Sequence, residues 1–277
     1  MLYFLPTPIG NLDDISKRCL DILNLCDIII CEDSRVTKSL INLLNTKYNL
    51  NINPSEFYSL HTHNENEFFA KFEARKLVEN IVVYVSDAGM PCISDPGVSL
   101  VEFAQQNGIN YEVLSGANAA LLAVAASGIV QKEFTFLGFL PNTGRDRELA
   151  VQNALNSAYP VVIYESPKRI LSLIESVAKI APTKEIFAIK EATKKFEAKF
   201  KDNAKNLVNI LKNANLKGEW CVVIAGSSVV AHESITISDI DELNIPPKQK
   251  AKLLSKLTGK SVKDIYAQLT SKDSIWN

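Results

Sequence analysis

From its second residue the chain alternates short runs rich in β-branched and aromatic residues with amphipathic runs of helical period. No other feature constrains the fold as much. LYFLPT reads as a strand, and DDISKRCLDILNLC follows with an acidic start and with Ile15, Cys19, Ile22 and Leu23 at helical spacing. The unit repeats as IIICE with TKSLINLL, FYSLH with NENEFFAKFEARKLVEN, and IVVYVSD with SLVEFAQQNG, before YEVLSG closes the series. Strands that are apolar throughout and separated by single helices are buried on both faces. They predict a parallel sheet with helices on each side.

A second series follows an all-apolar helix over 119–130, which is expected to pack between two layers. It runs FTFLGF, a helix through RELAVQNAL, PVVIYE, a helix through KRILSLIESVAKIA, EIFAIKEAT, FEAKFKD, a further helix and EWCVVIAG. The alternation in FEAKFKD predicts an exposed antiparallel strand beside EIFAIKEAT, hence a mixed sheet. With 277 residues the chain exceeds the usual size of one core. The expected fold class is α/β, with a parallel-sheet domain over 1–116 and a mixed-sheet domain over 117–227. A polar linker and basic helical tail are expected over 228–277.

Composition narrows the function classes. A net charge of −1 gives no global bias towards nucleic acid. The longest apolar stretch, Ala119 to Val130, is too short to span a bilayer, and MLYFLPTPIG meets Pro6 and Pro8 without a basic leader, so neither a membrane span nor a signal peptide is expected. Five cysteines without CxxC spacing read as reduced core thiols of a cytoplasmic protein.

In a parallel α/β sheet ligands bind beyond the carboxyl ends of the strands. Here every such end is polar or built from Gly and Pro: TPIGN, EDSR, HTHNEN, SDAGMPCISDPG and SGAN. The fourth carries two Asp, two Gly and two Pro in twelve residues, more special backbone chemistry than a turn requires. A backbone-lined site for an adenosine-type ligand and a rigid structural loop both fit it. GxGxxG and GxxxxGK[ST] are absent, so the usual nucleotide phosphate cradles are missing. His61 and His63 share a face at period two, but no further ligand set has metal spacing, and no metal is expected. Arg35 is either an intramolecular partner of Glu32 or Asp33 or a phosphate clamp.

Together TPIGNLDDIS, CEDSRVTKSL, HTHNE, SDAGMPCISDPG, GFLP, YESPKR and KGEW, in this order, resemble the ribosomal RNA methyltransferases of the tetrapyrrole-methylase-like, class III S-adenosylmethionine-dependent superfamily. The resemblance implies two α/β domains with the methyl donor, S-adenosylmethionine, in the cleft between them. It also implies transfer to the ribose 2′-hydroxyl of a cytidine in the decoding region of 16S rRNA, within the small ribosomal subunit, by a homodimer. Donor contacts are then expected from Pro8, Asp87, Ala88, Gly89, Met90, Ile93, Asn118 and Ala119, and from Tyr164 and Trp220 in the second domain. Where the family reads PGPSA, this chain has Ser115-Gly116-Ala117-Asn118-Ala119.

The 2′-hydroxyl is a weak nucleophile at neutral pH, so Asp33 and His61, on adjacent strand ends, are both candidates for the catalytic base. Arg35, His63, Asn64, Lys168 and Arg169 are candidate RNA contacts. So are Lys248, Lys252 and Lys256, which belong to a run of six lysines without an acid between Pro246 and Lys263. Ala251, Leu253, Leu254 and Leu257 are expected on the apolar side of one tail helix, and Ile265, Tyr266 and Leu269 on that of the next. A solvated helical tail is the alternative. A tetrapyrrole methylase acting on a small molecule and a non-catalytic ribosome-binding module are the competing functions.

Overall fold

The computed structural model describes residues 1–227 and 236–270. Residues 1–227 form one compact unit, and the described residues 236–270 belong to a second. The first sheet consists of β1 (Leu2–Phe4), β2 (Ile28–Cys31), β3 (Glu56–Ser59), β4 (Val82–Val85) and β5 (Tyr111–Val113). They run parallel in the order β3-β2-β4-β1-β5. Every residue of β2 and β4 is buried, because consecutive side chains feed two separate cores. Leu2, Phe4, Ile28, Ile30, Val82 and Tyr84 pack against Phe68, Leu77 and Leu100 from the helices on one face. Leu5, Ile29, Cys31, Val83 and Val85 pack against Cys19, Leu23, Ile41 and Leu44 on the other.

The second sheet is mixed: β6 (Thr135–Phe139), β7 (Val161–Glu165), β8 (Glu185–Lys190), β9 (Ala198–Asn203) and β10 (Trp220–Ile224), in the order β6-β7-β10-β8-β9. Only β6 and β7 are parallel; β10 runs antiparallel to β7 and β8, and β9 antiparallel to β8. Three helices, Gly144–Asn156, Ile170–Ile180 and Ala204–Lys212, cover one face. The helix Ala119–Ser127 lies on the other. It is not enclosed between two layers: Ala120, Ala123 and Ser127 are buried on the sheet, while Leu121, Ala125 and Ala126 are exposed. An apolar sequence all round a helix does not require burial all round when most of its side chains are Ala and present little area to water.

One further expectation is corrected. The run 64–80 is two helices, Glu65–Lys71 and Lys76–Glu79. Phe72 leaves the first in an extended conformation, buries itself, and stacks on Phe68 at 4.9 Å. The five cysteines are free thiols, four of them buried and Cys92 half-buried. Among the described residues no helix is long and apolar enough to cross a membrane.

In the second unit, the stretch 228–235, expected as linker, lies outside the described residues. Beyond it Thr236 and Asp239 form a capping box that starts the helix Ile237–Glu242. The helices Pro247–Thr258 and Val262–Thr270 follow, separated by Gly259 in the left-handed region at φ 71°. Ile240, Ala251, Leu254 and Ile265 form the core. Leu253, Leu257 and Tyr266, expected inside, are exposed, because a helix only three turns long buries one narrow stripe against so few partners. Lys248, Lys252 and Lys256 are exposed at intervals of four residues, hence on one helical face.

Candidate active site

The loop after β4 is rigid because its polar atoms are spent within it. Asp95 accepts hydrogen bonds from the Ile93 and Gly97 amides at 3.0 and 2.8 Å and from the Tyr84 hydroxyl at 2.8 Å. Cys92 and Ser94 stand at φ 64° and 69°, positions that L-residues seldom adopt. The loop is also tied to the first strand's exit. Thr7 and Gly89 exchange backbone hydrogen bonds at 3.0 and 3.1 Å, with Gly89 at φ 86°. TPIGN and SDAGMPC therefore form one surface.

The Gly10 turn meets the second sheet. Asn11 N–H donates to Thr193 Oγ1 at 3.0 Å, and a Cβ on Gly10 would stand 2.6 Å from that oxygen and 2.9 Å from the Ala192 carbonyl. Glycine here is a condition for the two sheets to approach. Between them lies a cavity of about 400 Å³. One wall consists of Ile9, Glu32 and the 86–95 loop, and the other of Phe139, Tyr164, Ile189, Ala192 and Glu219–Cys221. Asn118 and Ala119 enter from the connecting segment.

Nine of the ten expected donor contacts border this cavity: Asp87, Ala88, Gly89, Met90, Ile93, Asn118, Ala119, Tyr164 and Trp220. Pro8 does not, and its neighbour Ile9 takes that position. Asn118 accepts from the Leu121 amide at 2.9 Å and so caps the helix Ala119–Ser127, whose Ala120 amide donates to the Tyr164 hydroxyl at 3.2 Å. The Trp220 ring is 3% exposed, stacks on Phe200, and donates its indole N–H to the Leu216 carbonyl at 3.0 Å. Trp220 therefore borders the cavity while its polar group is spent elsewhere.

The structure separates the two base candidates from the cavity. Asp33 caps the helix Ser34–Tyr48 through the Arg35 amide at 2.8 Å, and the Arg35 guanidinium lies on the same carboxylate at 2.6 Å. Those bonds hold Asp33 down to about 2, which leaves it little basicity. His61 lies two residues beyond β3, the outermost strand on its side, two strand spacings or roughly 10 Å from β4. It does not border the cavity, and its Nδ1 is buried without a hydrogen-bond partner. His63 is exposed, with its ring 6.3 Å from that of His61. Among the described residues no third ligand joins them in a group fit for a metal ion.

Glu32, one residue before Asp33, does border the cavity. Burial, followed by the charges of Asp87 and Asp95, raises its pKa. Asp87 is likewise raised, chiefly by burial, and accepts from the Asp33 amide at 3.1 Å. The helix-capping signal of Asp33 in EDSR was the available clue that Glu32 was the carboxylate left to the cavity.

The expected RNA contacts divide. Arg35 and Lys168 are exposed. Asn64 is committed to the turn after β3, accepting from the His61 amide at 2.8 Å and donating to the Ser59 carbonyl at 2.9 Å. Arg169 is largely engaged: its Nε lies 2.8 Å from Glu165 Oε1 and another nitrogen bonds the Asn142 side chain. Arg147 takes the other Glu165 oxygen at 2.7 Å.

Residues 1–208 match the family model for tetrapyrrole (corrin/porphyrin) methylases. The chain is 70% identical over 269 residues to the ribosomal RNA small subunit methyltransferase I of Campylobacter fetus subsp. fetus, covering 97% of this chain and 99% of that protein. It is 40% identical to the protein of the same name from Helicobacter pylori strain J99, covering 97% and 96%. Among solved structures it is similar to a cobalt precorrin-4 methyltransferase, with TM-score 0.57 and 16% identity over 81% of this chain and 94% of that one. It is also similar to the uroporphyrin-III C-methyltransferase of Thermus thermophilus complexed with S-adenosylhomocysteine, with TM-score 0.54 and 13% identity over 82% and 98%.

Proposed function

We propose a reaction from one premise: this chain belongs to the tetrapyrrole (corrin/porphyrin) methylase family, among its ribosomal RNA small subunit methyltransferases. It is an S-adenosylmethionine-dependent methyltransferase. The substrate we assign is the ribose 2′-hydroxyl of a cytidine in the decoding region of 16S rRNA, presented in the small ribosomal subunit. The observation that carries this reading is the cavity between the two sheets. One wall holds carboxylates suited to a hydroxyl nucleophile, in a chain whose likeness to the ribosomal RNA enzymes extends through the tail.

The cavity fits the donor. Its volume lies within the roughly 300–1,000 Å³ of small-ligand sites. Apolar Ile9, Met90, Ile93 and Tyr164 suit a nucleoside, and half-buried Glu32 and Asp87 complement a cationic sulfonium. Asp87 through Met90, Ile93, Asn118, Ala119 and Tyr164 would hold it. When bound, the donor supplies a methyl group already activated by positive sulfur. What remains for the protein is alignment of the nucleophile and removal of its proton. Glu32 is the residue we assign to accept that proton, in place of Asp33 and His61. Arg35, Lys168 and the stripe Lys248, Lys252 and Lys256 are assigned to RNA phosphates, where lysine adds affinity without base readout.

The test is transfer of tritiated methyl from S-adenosylmethionine to small ribosomal subunits, with the labelled nucleoside identified after digestion. 2′-O-methylcytidine is the expected product. A base-methylated nucleoside would overturn the 2′-hydroxyl assignment, and label only in a tetrapyrrole would overturn the RNA assignment.

A further inference from the structure

β6 contains one residue more than its partner. Phe136 pairs with Val162, but the next pair is Gly138 with Ile163, so Leu137 is a bulge in a parallel ladder, where bulges are rare. Side chains alternate across a sheet, and one inserted residue moves everything beyond it to the opposite face. Without the bulge Phe139 would stand opposite Glu165. With it, Phe139 stands opposite Tyr164, on the cavity side. Gly138 makes the bend at φ 61°, where a Cβ would come within 3.0 Å of Ser94 Oγ from the first sheet's loop.

The ring so aimed is 59% exposed on the cavity wall, 5.6 Å from the Tyr164 ring and tilted 59° to it. The segment carrying it is clamped. Arg147 donates to the Pro141 carbonyl at 3.1 Å, Arg169 bonds Asn142, and both guanidiniums sit on Glu165, whose side chain is fully buried. Phenylalanine is ordinarily an interior residue, yet here a pinned backbone holds it in water. The clamp pairs two guanidiniums with one carboxylate. An exposed aromatic face on a cavity wall matches an unstacked nucleobase.

We infer that Phe139 is the platform on which the base of the target nucleotide stacks while its ribose enters the cleft. The inference rests on the RNA methylation reading above and adds to it the residue that receives the extruded base. Proteins that read RNA commonly splay a nucleotide out of its stack and receive its base on an aromatic side chain. With the ribose at Glu32 on one wall, the base meets Phe139, the exposed ring on the other wall.

Two measurements on the full-length protein test this. In the first, methyl transfer to small ribosomal subunits and S-adenosylmethionine binding by calorimetry are compared for wild type, Phe139→Ala and Phe139→Trp. Phe139→Ala should lower kcat/KM for the subunit about tenfold with donor affinity unchanged, and Phe139→Trp should restore transfer. In the second, an RNA oligonucleotide carrying 2-aminopurine reports stacking by fluorescence quenching, independently of methyl transfer. Quenching by wild type and Phe139→Trp but not by Phe139→Ala supports the assignment even if the subunit is not the substrate. An equal loss of donor affinity in Phe139→Ala, or quenching that survives the substitution, overturns it.

Discussion

Replacing Glu32 with Gln separates its charge from its shape. The amide retains the side chain's length and its backbone contact with Asp87, so the cavity keeps its outline and only the proton acceptor is lost. A positioned general base contributes about 10²–10⁴-fold to rate. Glu32 is half-buried rather than enclosed, so water can partly replace it, and the expected fall in single-turnover rate is near the lower end, about 10². Asp87 remains on the same wall, so affinity for S-adenosylmethionine should change by less than about tenfold.

The pH dependence gives a second, independent readout. Burial and three neighbouring carboxylates raise the Glu32 pKa, so wild-type transfer should climb with pH through a limb lying above the ordinary glutamate range. Glu32→Gln should lack that limb. Stability moves in the opposite direction. Between the unfolded and the raised folded pKa the native state binds more protons, so its stability falls as pH rises through that interval. Glu32→Gln should remove that loss and be no less stable than wild type at neutral pH. Rapid-quench single turnovers with saturating donor, across pH 4–9, check the rate limb. If Glu32→Gln retains the wild-type rate within about twofold, or Asp33→Asn abolishes the limb instead, Glu32 is not the base.

Gly10→Val should clash with the Ala192 carbonyl and Thr193 and cost about 1–3 kcal/mol, read as a lowered urea midpoint together with weakened donor binding. Glu165→Ala removes the buried partner of Arg147 and Arg169 and should destabilise by about 3–5 kcal/mol in equilibrium unfolding. A loss below 1 kcal/mol would mean that the arginines find other partners. Changing Lys248, Lys252 and Lys256 together to Ala should leave donor binding intact. The same change should reduce the salt slope of subunit binding by about 2–3 if each lysine meets one phosphate, whereas an unchanged slope would show that none does.

The architecture was legible in the sequence where a single physical signal governed it. IIICE and IVVYVSD are apolar at every position because both faces of β2 and β4 are buried, and that pattern has few other readings. It was illegible where tertiary packing overrode local preference. Nothing in FFAKFEARK marks a helix end, since the break occurs only because Phe72 turns inward to stack on Phe68. The tail's apolar residues likewise did not announce which stripe would be buried, because Leu253 and Leu254 differ by 100° of helical rotation rather than by hydrophobicity.

At the site, the legible part was backbone and the illegible part was direction. Gly89 and the Gly- and Pro-rich 86–97 loop marked the cavity because a φ of 86° needs glycine, and Gly10 because a Cβ there would meet the Ala192 carbonyl. Which of two adjacent acids faced the ligand depended on where β2 ends and the next helix begins, a boundary of one residue. Asp33 went to the cap, and Glu32 was left with the cavity. Phe139 repeats the case on the other sheet. FTFLGF reads as simple alternation, which would have placed Phe139 opposite Glu165, and only Gly138 signalled a bend. In both places a shift of one residue exchanges a side chain between the cleft and the opposite face. Moving the bulge should therefore impair RNA handling more than donor binding, even where every side chain of the cavity is kept.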